Sequence, residues 1–297
     1  MRNIILVSMV MITLFIFIFV SVDKESILIG DDHEIIERPP LNQVIGTSLR
    51  LNNNDLEKLK FAISNVKNTR FDKPSEWGES VTGVIQRIST EEKIVSLTFD
   101  ACGGEWGSGY DEALINYLVA ENVPATLFIN SRWIDENLET FLYLASLDQF
   151  QIENHGTEHR PLSITGKTAW GIKGTSSVDE VIGEIVTNFE KIKELTGHSS
   201  RYFRSGTAFY DNIAVEIVEQ LGMNVVNYDI LGDAGATFSA TQVRDALLTA
   251  KPGSIALLHM NQPTKGTFEG VKMAIPLLRE QGFTFVTLDE GFNLSIR

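Results

Sequence analysis

Four residues suited to acid–base and metal chemistry stand where apolar runs of this sequence end. They are Asp100, His155, Arg204 and His259, and each directly follows a short run that can form a buried strand. A carboxylate, imidazoles and a guanidinium together can hold a metal ion, move a proton and keep a base ionised. These residue types are typical of a metal-assisted hydrolase.

The pair His155 and His159 carries the metal prediction. If the segment is helical, this spacing places both side chains on one face with their Cβ atoms roughly 5–6 Å apart, so that they share one ion. The sequence leaves open the alternative of two surface histidines beside a turn. A zinc ion held by this pair would polarise a carbonyl oxygen.

The other three residues predict acid–base chemistry. Gly103 and Gly104 follow Asp100 and favour a carboxylate exposed in a cleft over one that caps a helix, because they let a substrate approach the backbone. Arg204 is expected to hold that carboxylate ionised, with a surface arginine as the alternative. His259 alone is more typical of a structural residue, but with the others it predicts a general acid for a leaving amine.

The elements that must position these residues alternate between strand and helix from residue 94 onward. Strands are predicted at 94–99, 125–129, 202–203, 225–228, 255–258 and 283–288, and helices at 111–121, 178–195, 212–221, 241–249 and 270–281. Ser177 and Glu180 form a capping box for the second helix, and Gly197 ends it. Repeated strand–helix units predict an α/β fold with a parallel sheet, open or closed into a barrel. Active sites in such folds lie at the carboxyl ends of the strands.

The N-terminal part of the sequence predicts attachment to a membrane. One positive residue precedes the apolar run 4–22, which is about long enough to cross a bilayer. Residues 1–22 are therefore predicted to be a signal sequence or, in preference, an uncleaved membrane anchor, with a buried core helix as the alternative. Residues 23–90 have few apolar side chains and predict a spacer, with a short helix at 56–66, rather than a small independent domain. The working domain, 91–297, is then extracytoplasmic.

Charge and cysteine content narrow the range of partners. Lys and Arg number 25 against 39 Asp and Glu, and the resulting net charge of −14 argues against nucleic acid as a partner. A neutral glycan meets no such barrier. Cys102 is the only cysteine, so the chain forms no internal disulfide.

Residues 91–292 resemble the polysaccharide deacetylases of carbohydrate esterase family 4, the NodB-homology family. The family's T-F-D-D-G, H-S/T-x-x-H, R-x-P-Y and L-x-H motifs are matched in order by residues 98–102, 155–159, 204–207 (in part) and 257–259. A further motif of the family, which supplies an aspartate before the last of these, is poorly defined here. Asp229 and Asp233 are both candidates for it.

The resemblance implies a distorted (β/α) barrel of parallel strands and the removal of N-acetyl groups from cell-wall polysaccharide, either peptidoglycan or a chitin-like hexosamine polymer. It implies a divalent metal ion, zinc by preference, held by His155 and His159. The further roles that it implies are Asp100 as general base, Arg204 as its orienting partner, His259 as general acid, Asp233 in preference to Asp229 as the partner of His259, Leu257 as a wall of the acetyl pocket, and the backbone N–H of Thr207 as a donor to the tetrahedral oxyanion.

One departure from the family's pattern limits these expectations. The family's metal triad uses the second Asp of T-F-D-D, and this chain has Ala101 there. Three outcomes are open: the two histidines hold the ion with waters or a substitute carboxylate, Asp100 becomes the ligand, or the domain holds no metal and binds glycan without cleaving it. The candidate substitute carboxylates are Glu153, Glu158 and Asp111. Cys102 has the chemistry of a zinc ligand, but the sequence favours a small buried thiol there.

Together these observations predict an extracytoplasmic hydrolase of amide bonds that acts on N-acetylated cell-wall polysaccharide and is attached to the membrane by its N-terminal segment. The alternative is a catalytically inactive glycan-binding or wall-assembly protein on the same scaffold, because of Ala101. Deacetylation of a small amide or an ester is a third hypothesis.

Overall fold

The structure of this chain, a computed structural model, describes residues 53–295. The helices within this range are α1 (Asn53–Asn68), α2 (Glu112–Ala120), α3 (Ser131–Glu136), α4 (Leu138–Ala145), α5 (Val178–Thr196), α6 (Asn212–Gln220), α7 (Ala240–Leu247), α8 (Thr267–Glu280) and α9 (Leu288–Ser295). The strands are β1 (Trp77–Gly78), β2 (Ile94–Ala101), β3 (Ala125–Ile129), β4 (Phe150–Asn154), β5 (Thr168–Ala169), β6 (Ile172–Lys173), β7 (Tyr202–Phe203), β8 (Tyr210–Asp211), β9 (Asn224–Val225), β10 (Ile230–Leu231), β11 (Ser254–His259) and β12 (Thr284–Phe285).

The predicted anchor at 1–22 and the first part of the predicted spacer lie outside the described residues. Among the helices of residues 53–295, none is both long and apolar enough to span a bilayer.

A single sheet of eight strands carries the site. Its strands run in the order β10-β11-β2-β3-β4-β7-β9, with β12 also paired to β2. All of these pairs are parallel. The two ends of the path, β9 and β10, are separated in the chain by residues 226–229 alone, so the sheet curls back toward itself. The prediction of an α/β fold built on a parallel, barrel-like sheet is confirmed, in the form of a partial barrel.

The local signals in the sequence account for the element boundaries. Strand β2 is buried along its whole length, as expected for a parallel strand covered on both faces. Helix α5 begins after Ser177, whose side chain accepts a hydrogen bond from the backbone of Glu180, and it ends at Gly197 in the left-handed conformation with φ 75°. The capping residue and the helix end predicted for this segment lie where expected. The Glu180 carboxylate, predicted to complete a capping box with Ser177, instead accepts hydrogen bonds from Ser176 and Arg160.

Residues 53–90 pack onto the barrel, in contrast to the predicted spacer. The helix predicted at 56–66 is present within α1, and its Leu59 and Val66 are buried in a cluster with side chains of α5 and α6. Strand β1 pairs with β8 in antiparallel fashion, and Ile88 is buried in another cluster. This part of the chain has few apolar residues, but several of them, such as Leu59 and Val66, face the domain, which sequence composition alone does not show.

Candidate active site

The register between β2 and β11 places the predicted base and acid side by side. His259 is paired with Asp100, and Leu257 with Thr98. Adjacent strands lie roughly 4.8 Å apart, and residues two apart on a strand point to the same face. The carboxylate, the imidazole and the Leu257 side chain therefore share one face at the carboxyl ends of the two strands.

Arg204, which follows β7, forms an ion pair with Asp100. Its side chain is 0% exposed, and its Nη1 donates to Asp100 Oδ1 at 2.8 Å and to Thr98 Oγ1 at 2.9 Å. The Nε and Nη2 groups donate to the backbone carbonyls of Val226 and Asn227, both at 3.0 Å. The guanidinium is thus held by partners on β2 and in the segment that follows β9, and it fixes the orientation of the carboxylate.

Asp100 is kept ionised by its surroundings. Burial alone would raise the pKa of this carboxyl, but electrostatic interactions with His155 and with the Arg204 guanidinium hold that pKa below its usual range. The Arg204 guanidinium in turn lies 4.2 Å from the centre of the Phe128 ring, a cation–π contact. An ionised carboxylate that is fixed in place is suited to accept a proton.

His259 forms a pair with Asp233. The distance from His259 Nδ1 to Asp233 Oδ1 is 2.8 Å, and Asp233 Oδ2 accepts the backbone N–H of His259 and the hydroxyl of Thr267. Burial alone would lower the pKa of His259, but the Asp233 carboxylate raises it well above its usual value. Asp229, the other candidate, instead accepts hydrogen bonds from Ser254 and from the backbone of Ile255. The structure therefore places Asp233 beside a protonated imidazole.

The two metal-type histidines are brought together by a loop, whereas the proximity argument from the sequence assumed a helix. His159 has φ 62°, in the left-handed region, and the ring centres of His155 and His159 are 5.0 Å apart. The buried Glu184 carboxylate of α5 shapes this loop by accepting the backbone N–H groups of Thr157, Glu158 and Arg160.

A hydrogen bond selects the tautomer of His155. Its Nδ1 lies 2.9 Å from the backbone carbonyl of Arg204, and since a carbonyl only accepts, Nδ1 carries the proton. Burial lowers the pKa of His155, which favours the form of the ring that has a free lone pair on Nε2. This nitrogen lies 3.5 Å from Asp100 Oδ2 and 3.9 Å from Cys102 Sγ.

Cys102 completes a cluster of three metal-type donors. Ligand atoms of Cys102, His155 and His159 all lie within 4.8 Å of one another. His159 Nε2 is buried and has no hydrogen-bond partner among the described residues. Burial alone would raise the pKa of the Cys102 thiol, but His159 and His259 lower it to about 6. One thiolate and two imidazoles that are free to coordinate fit a zinc-type ion.

Ala101, which stands where the family has its metal-binding aspartate, faces an apolar cluster and not the three metal-type donors. The Ala101 side chain is 0% exposed and lies in the apolar cluster with Ile129 and Trp133. Cys102, one position further, turns toward the histidines. Sequence reasoning set Cys102 aside, although its position directly beside the lost aspartate was a usable signal.

The substitute carboxylates considered from the sequence are engaged at other places. Glu153 is buried and accepts the backbone N–H groups of Arg201 and Tyr202. Asp111 caps α2, and the Glu158 side chain is exposed. None of the three belongs to the donor cluster found among the described residues.

The segment after Arg204 lies against the histidine loop. A Cβ atom at Gly206 would overlap His159. The backbone at Gly206 can therefore lie this close to the histidine loop only because glycine has no side chain. The next residue, Thr207, has a buried hydroxyl without a hydrogen-bond partner in the described part of the chain. The predicted roles of the Thr207 backbone N–H and of Leu257 stay predictions.

Comparison with known proteins agrees with this geometry. The profile of the family described as polysaccharide deacetylase matches residues 87–226. Residues 87–226 of this chain therefore match a polysaccharide deacetylase domain. This domain is similar to the peptidoglycan-N-acetylglucosamine deacetylase PgdA of Listeria monocytogenes, with 24% identity over 200 residues, which is 67% of this chain and 38% of that relative. The chain thus spans well under half the length of PgdA.

Solved structures show the same fold. A pseudoenzyme of carbohydrate esterase family 4 from Bacillus anthracis is 24% identical, with a TM-score of 0.60 over 80% of this chain and 82% of that one. A family 4 acetyl xylan esterase from Clostridium thermocellum, solved with a cobalt ion, is 24% identical, with a TM-score of 0.56 over 68% of this chain and 91% of that one. The partial barrel of this chain therefore has the fold of these two family 4 proteins, the pseudoenzyme and the esterase.

Proposed function

We propose that this chain is a metal-dependent amide hydrolase that removes N-acetyl groups from cell-wall polysaccharide. One observation carries the proposal. An ionised, arginine-held Asp100 and a protonated His259 lie on adjacent strands next to the donor cluster of Cys102, His155 and His159. The similarity to PgdA supports an N-acetylated glycan as the substrate.

The residues of this chain divide the reaction between them. Asp100 accepts a proton from the water whose oxygen adds to the acetyl carbon. When the C–N bond breaks, His259 gives its proton to the amine that leaves, and acetate is the other product. A zinc-type ion bound by Cys102, His155 and His159 would supply positive charge that polarises the acetyl carbonyl.

Acetate release together with metal content tests this proposal. Peptidoglycan and a chitin hexamer are incubated with the purified chain, with Asp100→Asn, and with Glu158→Gln as a control that removes an exposed carboxylate from the histidine loop. We expect one zinc ion per chain, with acetate release that is lost in Asp100→Asn and kept in Glu158→Gln. A metal-loaded chain that releases no acetate from either glycan would refute the proposal.

A second function is favoured by Ala101 and by the pseudoenzyme relative. In this case the same scaffold binds glycan and does not cleave it. The double variant Ala101→Asp/Cys102→Gly recreates the T-F-D-D-G motif and separates the two hypotheses. Acetate release by the double variant alone would favour the binding function, whereas release by the unaltered chain supports the hydrolase.

The same proposal places the domain outside the cytoplasm, attached to the membrane. It is supported by the apolar run 4–22, which has the length of a membrane span. We expect the full chain in the membrane fraction of cells and a chain that starts at residue 23 in the soluble fraction. Equal distribution of the two would contradict the anchor.

A further inference from the structure

A group of aromatic side chains lies beside the candidate active site and has no role in the chemistry described above. Trp77, Phe209 and Trp170 line a cavity of about 620 Å³ together with Glu76 and Glu79. The ring centres of Trp77 and Phe209 are 5.8 Å apart, and those of Trp170 and Phe209 are 5.7 Å apart. We call these three residues the aromatic platform.

Trp170 lies at a turn position where a large aromatic side chain is unfavourable. It stands at the tip of the hairpin β5–β6, in a two-residue turn with Gly171, and both residues have positive φ values, 53° and 78°. Such turns favour Asn, Asp or Gly, because a side chain in this conformation is strained. The indole is nevertheless 75% exposed. A large apolar side chain that is held in a strained turn and left in solvent indicates a binding surface.

The platform is built on the same loops as the site. Phe209 follows Gly206 by three residues, so their Cα atoms are at most roughly 11 Å apart, and Gly206 touches His159. The Phe209 carbonyl accepts hydrogen bonds from Ser205, the neighbour of Arg204, and from the backbone of Leu162. The histidine loop and the platform therefore both contact one short segment of the chain, residues 205–209.

The chemistry of the platform matches a sugar chain. A pyranose ring has one face of C–H groups, which carry partial positive charge, and the faces of aromatic rings carry partial negative charge. Its hydroxyl groups need hydrogen-bond acceptors at the edge, and Glu76 and Glu79 line the same cavity. Their carboxylates already accept from Thr82 and Tyr228, but a carboxylate has about four acceptor positions and so can accept more. The net charge of −14 is compatible with a neutral glycan and unfavourable for an anionic one.

We infer that the aromatic platform is a binding subsite for pyranose rings of the polysaccharide, several sugar units away from the unit whose acetyl group is removed. The inference deepens the proposed function and rests on it for the identity of the polymer. Trp170 provides the exposed stacking face, and Phe209 and Trp77 support it.

Calorimetric titration with a chitin hexamer and a chitin dimer tests the subsite, in an Asp100→Asn background that prevents turnover. Trp170→Asn is the informative variant, because it removes the indole and places a residue that this turn favours. Phe61→Ala, on α1, is the control, since it removes another exposed aromatic ring, which is 69% exposed. We expect Trp170→Asn to weaken hexamer binding about tenfold with dimer binding unchanged, and Phe61→Ala to change neither.

Three results would overturn the subsite: no hexamer binding by the parent, an equal loss for dimer and hexamer, or a loss no larger than that of Phe61→Ala. A dimer of the chain that dissociates on Trp170→Asn would also overturn it, because a second copy would then cover the platform. Acetate release tests the proposed function, and hexamer binding tests the subsite, so the two can fail independently. Binding of the hexamer that depends on Trp170, together with no acetate release by the metal-loaded chain that retains Asp100, would refute the hydrolase and support the subsite.

Discussion

The acid–base part and the metal part of the candidate site differ in how their side chains are held. Asp100 and His259 each have a charged partner within 2.8 Å, Arg204 and Asp233 respectively. In the metal part, by contrast, His159 Nε2 is buried without a hydrogen-bond partner in the described structure. The protein thus orients Asp100 and His259 through ion pairs, whereas the two histidines of the metal part are positioned by a loop. Because different contacts hold the two parts, mutation should affect them separately.

The largest effect is expected for Asp100→Asn. Loss of the base should reduce the rate of acetate release by about 10²–10⁴-fold, while the amide oxygen still accepts from Arg204. Zinc content, measured by atomic absorption, should stay at the level of the unaltered chain. If zinc and activity fall together, Asp100 is a ligand and the division into two parts is wrong.

Cys102→Ser is expected to act on the other part. Loss of a partner of a metal ligand costs about 10–100-fold in metal affinity, and loss of a ligand itself should cost at least that much. The readout is the near-ultraviolet charge-transfer absorption that a thiolate gives with cobalt(II), which should be present in the unaltered chain and in Asp100→Asn. Its persistence in Cys102→Ser, or its absence from the unaltered chain, would show that the thiol is not a ligand.

A smaller effect is expected for Ala101→Asp alone. This side chain lies in an apolar cluster, so a polar group there without partners should lower the free energy of unfolding by about 1–3 kcal/mol. Urea unfolding with and without zinc measures it, and Ala101→Ser serves as a milder control. If zinc stabilises Ala101→Asp more than the unaltered chain, the new carboxylate reaches the ion. Residue 101 would then face the metal donors and not the apolar cluster.

The smallest change is a shift in a pH profile. The Asp233 carboxylate raises the pKa of His259, so the acid stays protonated as pH rises through the usual histidine range. In Asp233→Asn that pKa falls, and the loss of activity at high pH should begin at a lower pH. Asp229→Asn is the control, because that carboxylate contacts Ser254 and Ile255 instead. An unshifted profile in Asp233→Asn would mean that His259 is not the acid.

Much of the fold could be predicted from local patterns. Strand β3 was predicted with the bounds that it has, and α5 with a capping residue and a terminal glycine that the structure retains. These features depend on neighbours in the chain, through caps and apolar periodicity. The paired strands β1 and β8 were not predicted, because each has only two residues and is stabilised by a partner more than a hundred positions away.

Part of the arrangement of the candidate site could also be predicted from the sequence. The convergence of Asp100, Arg204 and His259 could be predicted because each ends an apolar run, and parallel strands bring such ends together. Cys102 was missed as a donor because its distance from His155 depends on the direction in which the chain turns after β2. The proximity of His155 and His159 was predicted, but its cause is the loop around Glu184, which lies on a distant helix.

By itself, the sequence determined the alternation of strands and helices and the positions of the charged residues at strand ends, since both depend on contacts over a few residues. Tertiary structure decided which aspartate pairs with His259, where the third metal-type donor comes from, and that residues 53–90 pack onto the barrel. These outcomes depend on which distant segments approach one another, and a one-residue change of register on a strand turns a side chain to its opposite face.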